Sequence, residues 1–454
     1  MNTEDIARTT LGAAEPFYPP TFSGAWLHKL AFFFSAPVML WALLWIAIDT
    51  GPWNLEGFSG TFGALDAVRA AFPLFVLVII LFWWALHART LRIPTLAEGG
   101  IWLYGLLMLL MSVRAAPWFM WGYWGLAFLA PLALTYAALS GRAPLETLRQ
   151  MNWASWIYAT AALAIMLIYA RAKLFVGSSL SAYGIVNRAG PFLGAAISRS
   201  SGLSRLAAVP GILGLIYVLR ERGWARLLAG TALTLAAAVI WIMQSRGSLF
   251  SFMGAMAFIL CFGGPRARRW GILIGVMAVV MMGVDLGAGG HLLQDLWAHA
   301  TRHTGLAGFR TMSGRPRIWR HAFRYIDRRP WLGYGPQADR RLGIGDAQNL
   351  IVYCLLSTGI VGTMAFVLGF ASAWLSFFRV LHKRIRLPQR DQRLVIACGA
   401  ILAFLSLRSI PEDGASYFSV DLLLQLPAMV YLAVLSRKLA GTPDGSTDHD
   451  QFRA

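Results

Sequence analysis

Long apolar segments recur along this 454-residue chain, and their length limits what it can fold into more than any other feature of the sequence. Leu, Ala, Trp and Phe fill runs of about 17 to 25 residues with little charge, enough to cross about 30 Å of hydrocarbon as an α-helix. We predict an all-α, polytopic transmembrane helical bundle of about twelve spans. Their approximate bounds are 25–48, 70–88, 99–113, 117–139, 153–170, 204–219, 224–243, 248–262, 270–286, 350–378, 394–410 and 417–436.

The composition agrees with a chain that uses the bilayer as its solvent. Hydrophobic residues make up 57% of it and charged residues 13%, against roughly 25% charged residues in a soluble domain. The net charge of +19 does not indicate nucleic-acid binding, because the basic residues lie between apolar segments and form no contiguous basic domain. Cys261, Cys354 and Cys398 fall in or beside apolar segments and provide neither a disulfide framework nor metal-ligand spacing.

The Lys and Arg residues of the short turns predict the orientation, because positive charge is retained on the cytoplasmic side. An even number of spans with both termini inside places the most basic turns in the cytoplasm. The predicted segments are a cytoplasmic N-terminus 1–24, spans one to nine within 25–286 with a basic outer segment 171–205, an arginine-rich outer loop 287–349, spans ten to twelve within 350–436, and a disordered cytoplasmic tail 437–454.

The outer loop between spans nine and ten holds ten arginines that topology does not explain, because long outer loops escape the positive-inside bias. In residues 316–329, Trp319, Ala322, Phe323 and Ile326 recur at helical spacing opposite a basic stripe, which predicts a short amphipathic helix. Two interpretations of the stripe stay open: arginines among lipid phosphates at the membrane interface, or a docking surface for a diphosphate, which guanidinium groups bind bidentately. The stripe comprises Arg317, Arg320, His321, Arg324 and Arg328.

Two shorter polar elements border other predicted spans. Arg246, in the sequence Gln-Ser-Arg-Gly at 244–247, interrupts an apolar stretch. Either it snorkels to the interface or it has a buried role, and the adjacent Ser and Gly favour the buried role. The sequence Asp-Ala-Gln-Asn at 346–349 directly precedes span ten, where Asn is also a common helix cap.

Together these elements resemble the signature of the O-antigen ligase and polymerase superfamily. The resemblance rests on a Ser-Gly-Arg, a Trp, a Pro-x-x-Gly-x-Gly turn, a polar pair before a span and a Gly-x-x-Gly within it, in that order. An outer Ser-Arg-Gly turn at 245–247 and an Arg-x-x-Gly-Leu element at 199–203 agree as well. The motif positions are Ser313, Gly314, Arg315, Trp319, Pro330, Gly333, Gly335, Gln348, Asn349, Gly359 and Gly362.

One position departs from the family pattern. Where family members usually have His before Asn, this chain has Gln348. Glutamine hydrogen-bonds a hydroxyl or a phosphate but takes up no proton near neutral pH, as His does. If the His is a base in relatives, another group must serve here, and the candidates are Asp346, Glu412, Asp413, His303 and His321.

The resemblance implies a glycosyltransferase on the periplasmic face of a bacterial inner membrane, with a polyprenyl-diphosphate-linked glycan as donor. The diphosphate is an activated leaving group, so catalysis needs positioning and charge stabilisation, which arginines supply without metal or cofactor. The resemblance implies catalytic roles for Arg246, Arg315 and Gln348. The expected substrate-binding residues are Arg199, Arg317, Trp319, Arg320 and Asn349.

Polymerase and ligase activities both fit the resemblance. A polymerase transfers the growing chain of a surface polysaccharide or exopolysaccharide to a lipid-linked repeat unit, whereas a ligase transfers the glycan to lipid A-core. Gln348 favours the polymerase, because polymerases diverge more between sugars. The expected partners are the lipid-linked donor, an acceptor glycan or lipid A-core, the bilayer and a chain-length regulator. A lipid-linked glycan transporter is the alternative from another class, disfavoured because most charges cluster at span ends.

Overall fold

The computed structural model describes most of the chain between residues 35 and 440. The described ranges are 35–48, 64–87, 94–141, 143–174, 185–188, 195–198, 200–243, 245–287, 290–300 and 315–440. The predicted N-terminus 1–24 and residues 441–454 of the predicted tail lie outside them, so both assignments stay predictions.

The described residues form a helical bundle with one antiparallel hairpin. Up to the hairpin the elements are α1 (Ala36–Ile46), α2 (Ala64–His87), α3 (Leu96–Ser112), α4 (Trp118–Leu139), α5 (Pro144–Leu174), β1 (Ile185–Arg188) and β2 (Ala195–Ser198). After it come α6 (Ser200–Arg220), α7 (Trp224–Ile242), α8 (Arg246–Phe262), α9 (Pro265–Gly287), α10 (His291–Ala300), α11 (Arg315–Arg328), α12 (Ala338–Arg341), α13 (Leu350–His382), α14 (Gln389–Arg408) and α15 (Val420–Ala440).

The hairpin is the departure from the predicted all-α fold among the described residues. Its register pairs Ile185 with Ser198 and Arg188 with Ala195, inside the segment predicted as a basic outer element. Ile185 and Val186 of the first strand are β-branched, as is typical of strand residues.

Each predicted apolar segment overlaps one helix, which confirms a multi-pass helical membrane protein. Within the described residues, eight helices are long and apolar enough to cross a membrane: α2, α4, α5, α6, α7, α9, α13 and α15. Three more, α1, α3 and α8, are shorter apolar helices, and α14 is longer but carries charged residues in its first turns. The count of twelve spans and the position of the outer loop stay predictions.

Burial divides the bundle into an interior and a periphery. Helices α4, α13 and α15 are mostly buried, and α15 contributes fully buried side chains such as Leu423, Tyr431 and Leu432. Helices α7 and α9 are mostly exposed, although they are as apolar as the others, with Ile272 and Val280 among the exposed side chains. In a bilayer, such apolar faces contact lipid rather than water.

Close packing of small residues fixes α13 against α3. A Cβ atom on Gly100 of α3 would lie 2.9 Å from the Cα of Gly369 in α13, and one on Gly369 would lie 2.9 Å from the Ala97 carbonyl oxygen. Small residues let helices in a membrane approach this closely, where van der Waals contact replaces the hydrophobic effect. The middle of α13 is thereby tied to α3.

A turn at residues 330–335 inserts beside a break in α13. The break is at Gly359, whose φ of 64° and ψ of −165° are not helical. Backbone N–H groups of Tyr334 and Gly335 donate to the carbonyls of Leu356 and Ser357, both at 2.7 Å. The Ile360 N–H in turn donates to the Pro330 carbonyl at 2.7 Å, so the turn satisfies groups that the break leaves unpaired.

This packing explains two of the sequence motifs. A Cβ on Gly333 would lie 2.7 Å from the Gly359 nitrogen, and a Cβ on Gly359 would collide with the backbone of Trp331. Only glycine allows that approach together with the positive φ angles at both positions. The Pro-x-x-Gly-x-Gly and Gly-x-x-Gly motifs are therefore one structural unit, which holds the end of α11 against α13.

Candidate active site

The amphipathic helix predicted over 316–329 is present as α11. Ala322 and Ile326 are buried on its inner side, as the pattern predicts, whereas Phe323, predicted on the same face, is exposed. The basic stripe lies on the opposite side, where Arg317, Arg320 and Arg324 are exposed. The helix therefore packs through Ala322 and Ile326 and leaves its basic side exposed.

Arg315, the first residue of α11, contacts Gln348. Its Nε donates a hydrogen bond to Oε1 of Gln348 at 2.7 Å, and both side chains are half-buried. One helical turn later, Trp319 Nε1 donates to the Ala347 carbonyl at 2.9 Å. The structure thus brings together three residues that the sequence analysis placed at the site.

Gln348 itself has a left-handed backbone. Its φ is 47°, a conformation uncommon for a residue with a side chain, and its N–H donates to Oδ1 of Asp346 at 3.2 Å. The next residue, Asn349, caps α13, because its Oδ1 accepts the Val352 N–H at 3.0 Å. The strained residue is therefore held between a helix cap and an aspartate, next to Arg315.

The cap also connects the site to the turn between α14 and α15, which we call the 409–414 turn. Asn349 Nδ2 donates to the Ile410 carbonyl at 2.8 Å, and the Leu350 N–H donates to the Ser409 carbonyl at 3.1 Å. From the other side, a Cβ on Gly247 would lie 2.9 Å from Cγ of Pro411. Residues 245–247 at the start of α8, which we call the Arg246 hairpin, therefore border the same turn as the Gln348–Asn349 pair.

The remaining predicted site residues are not all gathered there. Arg246 is half-buried at the first position of α8. Arg317 and Arg320 are exposed on the outer face of α11, and Arg320 Nε donates to the Pro316 carbonyl of its own helix at 3.4 Å. Arg199 lies outside the described residues, so its role stays a prediction.

Three carboxylates form a cluster beneath Gln348 that the sequence spacing did not reveal. Asp339, Asp346 and Asp413 each place one oxygen within 4.8 Å of the others. Asp339 and Asp413 are buried, whereas Asp346 is half-buried. The cluster was missed because its members come from α12, the segment before α13 and the 409–414 turn, and only the packing of these elements brings them together.

Burial and mutual repulsion change the ionisation of this cluster. Burial raises the pKa of Asp339 to about 6, although the Ala347 and Arg340 N–H groups that its carboxylate accepts, both at 2.9 Å, oppose the rise. Burial also raises the pKa of Asp413 well above its ordinary value, and the neighbouring carboxylates of Asp346, Asp339 and Glu412 raise it further. Carboxylates placed this close share protons instead of ionising together.

The cluster can act in two ways chemically. Three carboxylate oxygens at this spacing suit a hard cation such as Mg²⁺ or Ca²⁺. Alternatively, a protonated Asp413 hydrogen-bonds to Asp346 and leaves that half-buried group able to accept a proton. Each Asp339 oxygen accepts one backbone N–H and keeps a second lone pair, so these hydrogen bonds are compatible with both modes.

An ion pair next to the 409–414 turn was also missed. Arg408, the last residue of α14, pairs through Nη1 with Oδ2 of Asp421, and both side chains are almost fully buried. Nη1 of Arg205 lies 3.4 Å from the other oxygen of Asp421. Asp421 itself was the signal in the sequence, because it is an ionisable residue inside an apolar segment. Such residues usually have a partner of opposite charge and a functional role.

One comparison with known proteins gives a match. Residues 231–367 match the family model Wzy_C, described as O-Antigen ligase. The matched interval begins in α7 and ends in α13, so it contains Arg246, Arg315 and Gln348 but not the 409–414 turn. No curated protein matches the chain.

Proposed function

From the O-antigen ligase domain at residues 231–367, which assigns the chain to the O-antigen ligase and polymerase superfamily, we propose a membrane glycosyltransferase that uses a polyprenyl-diphosphate-linked glycan. It acts on the periplasmic face of the inner membrane, with both termini in the cytoplasm. Its product is a surface polysaccharide or exopolysaccharide, built by polymerising repeat units.

The observation that carries this proposal is the arrangement around the 409–414 turn. Arg315 contacts Gln348, and the Arg246 hairpin packs on the turn that Asn349 contacts. Transfer breaks the bond between the anomeric carbon and the diphosphate oxygen, so negative charge develops on the leaving group. Preorganised arginines stabilise that charge, and a low-dielectric site strengthens their effect.

Gln348 is suited to orient a substrate group. The side-chain oxygen Oε1 of Gln348 accepts a hydrogen bond from Arg315, and this contact identifies the oxygen end of the amide. The Nε2 hydrogens therefore point away from Arg315. An amide N–H donates to a phosphate or a hydroxyl oxygen, and it cannot remove a proton. We therefore assign Gln348 to positioning the acceptor hydroxyl or the diphosphate.

Asp346 is the group we propose as base. It is half-buried, two residues from Gln348, and it accepts the Gln348 N–H at 3.2 Å. The acceptor oxygen forms the new glycosidic bond, its proton passes to Asp346, and the diphosphate leaves with the electron pair. Burial raises the pKa of Asp413 and favours its protonated form, so Asp413 adds no further negative charge beside Asp346.

The polymerase is preferred to the ligase on one residue, Gln348. A ligase acting on lipid A-core is the second candidate, because the matching family is described as O-Antigen ligase. Both use the same donor and the same leaving group, so the proposed roles of Arg246, Arg315 and Asp346 hold for either. The acceptor is what separates them.

Purified protein in proteoliposomes tests the acceptor directly. Supplied with polyprenyl-diphosphate repeat units alone, it is expected to give a ladder of longer glycans, and EDTA is expected to leave the ladder unchanged. Products that appear only when lipid A-core is added would replace the polymerase with the ligase. Loss of activity in EDTA, restored by Mg²⁺, would make the aspartate cluster a metal site and overturn the metal-independent mechanism.

A further inference from the structure

The buried ion pair between Arg408 and Asp421 lies directly beside the proposed site. The two side chains are 3% and 4% exposed, and Arg408 Nη2 also lies 3.9 Å from Glu412. Arg205 of α6 approaches the same Asp421 carboxylate at 3.4 Å. Two arginines from different helices therefore share one buried aspartate, and removing one partner of such a buried ion pair is strongly destabilising.

Asp421 holds both ends of the 409–414 turn. Arg408 immediately precedes the turn and pairs with Oδ2 of Asp421. Gly414 ends the turn and packs so closely on the same oxygen that a Cβ on it would collide. The turn is thus closed on one carboxylate at the start of α15.

The middle of the turn contacts two elements of the proposed site. Ser409 and Ile410 accept hydrogen bonds from the first residue and the cap of α13. Pro411 lies against Gly247, next to Arg246. Moving the turn therefore changes the position of Arg246 relative to Asn349.

We infer that Asp421, with Arg408 and Arg205, is a positioning element that sets the distance between the Arg246 hairpin and the Gln348–Asn349 pair. The ion-paired residues act through the turn and do not touch the substrate. This inference rests on the proposed function for its catalytic consequence, and its geometric part stands on the contacts alone.

The other end of α14 provides a matched control. Asp391, in its first turn, pairs with Arg149 of α5 at 2.8 Å, with side chains 9% and 15% exposed. The two ion pairs are 17 residues apart on α14, about 25 Å at 1.5 Å per residue. Asp391→Asn and Asp421→Asn remove the same charge from the same helix bundle, and only the second lies beside the site.

Disulfide trapping measures the position of the turn without any activity. A Cβ on Gly247 would lie 3.6 Å from Cβ of Pro411, within the range of roughly 3.5 to 4.5 Å that a disulfide needs. Gly247→Cys and Pro411→Cys are introduced with Cys261→Ser, which removes the exposed native thiol. We expect this triple variant to cross-link rapidly, with or without Asp391→Asn. We expect it to cross-link slowly when Asp421→Asn is added.

Transfer by the single variants, with their native cysteines, completes the test. At saturating donor, Asp421→Asn is expected to lower the rate at least about tenfold, because misplacement of catalytic groups by about 1 Å has effects of that order. Asp391→Asn should lower Tm by a similar amount yet keep the rate. The inference would be overturned if the cysteine variant did not cross-link, or if it cross-linked equally fast with Asp391→Asn and with Asp421→Asn. An equal loss of transfer rate in Asp391→Asn and Asp421→Asn would overturn it as well. A wild-type protein without transfer would refute the proposed function, and the cross-linking rates would still decide the geometry.

Discussion

The two ends of α14 hold their charges in different ways. At the Gln389 end, cations and anions alternate and each has an opposite partner: Arg149 with Asp391 and Glu146, Arg390 with Glu146, and Arg393 with Glu221. At the Arg408 end, two arginines approach Asp421, and a few residues away the Asp339, Asp346 and Asp413 carboxylates crowd together.

This difference separates a structural region from a functional one. At the Gln389 end, each of these ion-paired side chains has an opposite charge that offsets part of its desolvation cost. The other end keeps three carboxyl groups in contact and includes Gln348, a residue with a left-handed backbone. Both features lower stability and persist where function requires them. The comparison predicts that substitutions at the Arg408 end alter chemistry, whereas those at the Gln389 end alter stability.

The largest expected effect comes from the arginines at the site. Arg315→Ala and Arg246→Ala should each lower transfer at least about a hundredfold, because each removes a donor that stabilises the leaving diphosphate. Arg393→Ala at the balanced end and Arg328→Ala on the exposed face of α11 are the controls, expected to stay within about twofold. Transfer rates and membrane expression are measured together. Equal, mild losses in all four would make these arginines interfacial and erase the distinction between the regions.

The aspartate cluster gives the next effect. Asp346→Asn should lower transfer about a hundredfold or more, because an amide cannot accept the acceptor proton. Asp413→Asn should change it less than about tenfold, because Asn resembles the protonated form that burial favours at that position. The measurement is the initial transfer rate at saturating substrates. A larger loss in Asp413→Asn than in Asp346→Asn would exchange the two roles.

Hydropathy and motif spacing predicted much of the fold and part of the site. Each apolar segment became a helix because burial from water or contact with lipid follows from the segment's own composition. The contact of Arg315 with Gln348 agrees with the family motif that contains both. The α11 helix also follows from local periodicity, since its apolar face needs only one neighbouring surface.

The rest depended on contacts between distant segments. Helix α5 begins at Pro144, nine residues before the predicted span, and its polar first turns are held by Arg149 pairing with Asp391. The break at Gly359 exists only because the 330–335 turn fills it. The aspartate cluster and the Asp421 ion pairs join residues from separate elements. Local sequence patterns do not predict such contacts.

The smallest expected effect is on stability against pH. The Asp339 pKa of about 6 in the folded protein is above its unfolded value near 4, so the native state binds the extra proton between those values. Stability is therefore full below about pH 4 for this group and falls by about 1 to 3 kcal/mol as pH rises through about 6. Melting in detergent between about pH 4.5 and 7.5 measures it. Asp339→Asn should flatten the slope in that window, and Asp391→Asn should not; an unchanged slope in Asp339→Asn would assign the ionisation elsewhere.

We propose that the glycan leaves its diphosphate at the Arg408 end of α14. The test uses proteoliposomes supplied with a radiolabelled polyprenyl-diphosphate repeat unit. It measures how much free polyprenyl diphosphate is released for each glycosidic bond formed. We expect one polyprenyl diphosphate released for each bond in the wild type and in Asp391→Asn, and both release and bond formation lowered at least about a hundredfold in Arg315→Ala. Donor that crosses the bilayer intact, with no diphosphate released, would contradict it and make the protein a transporter.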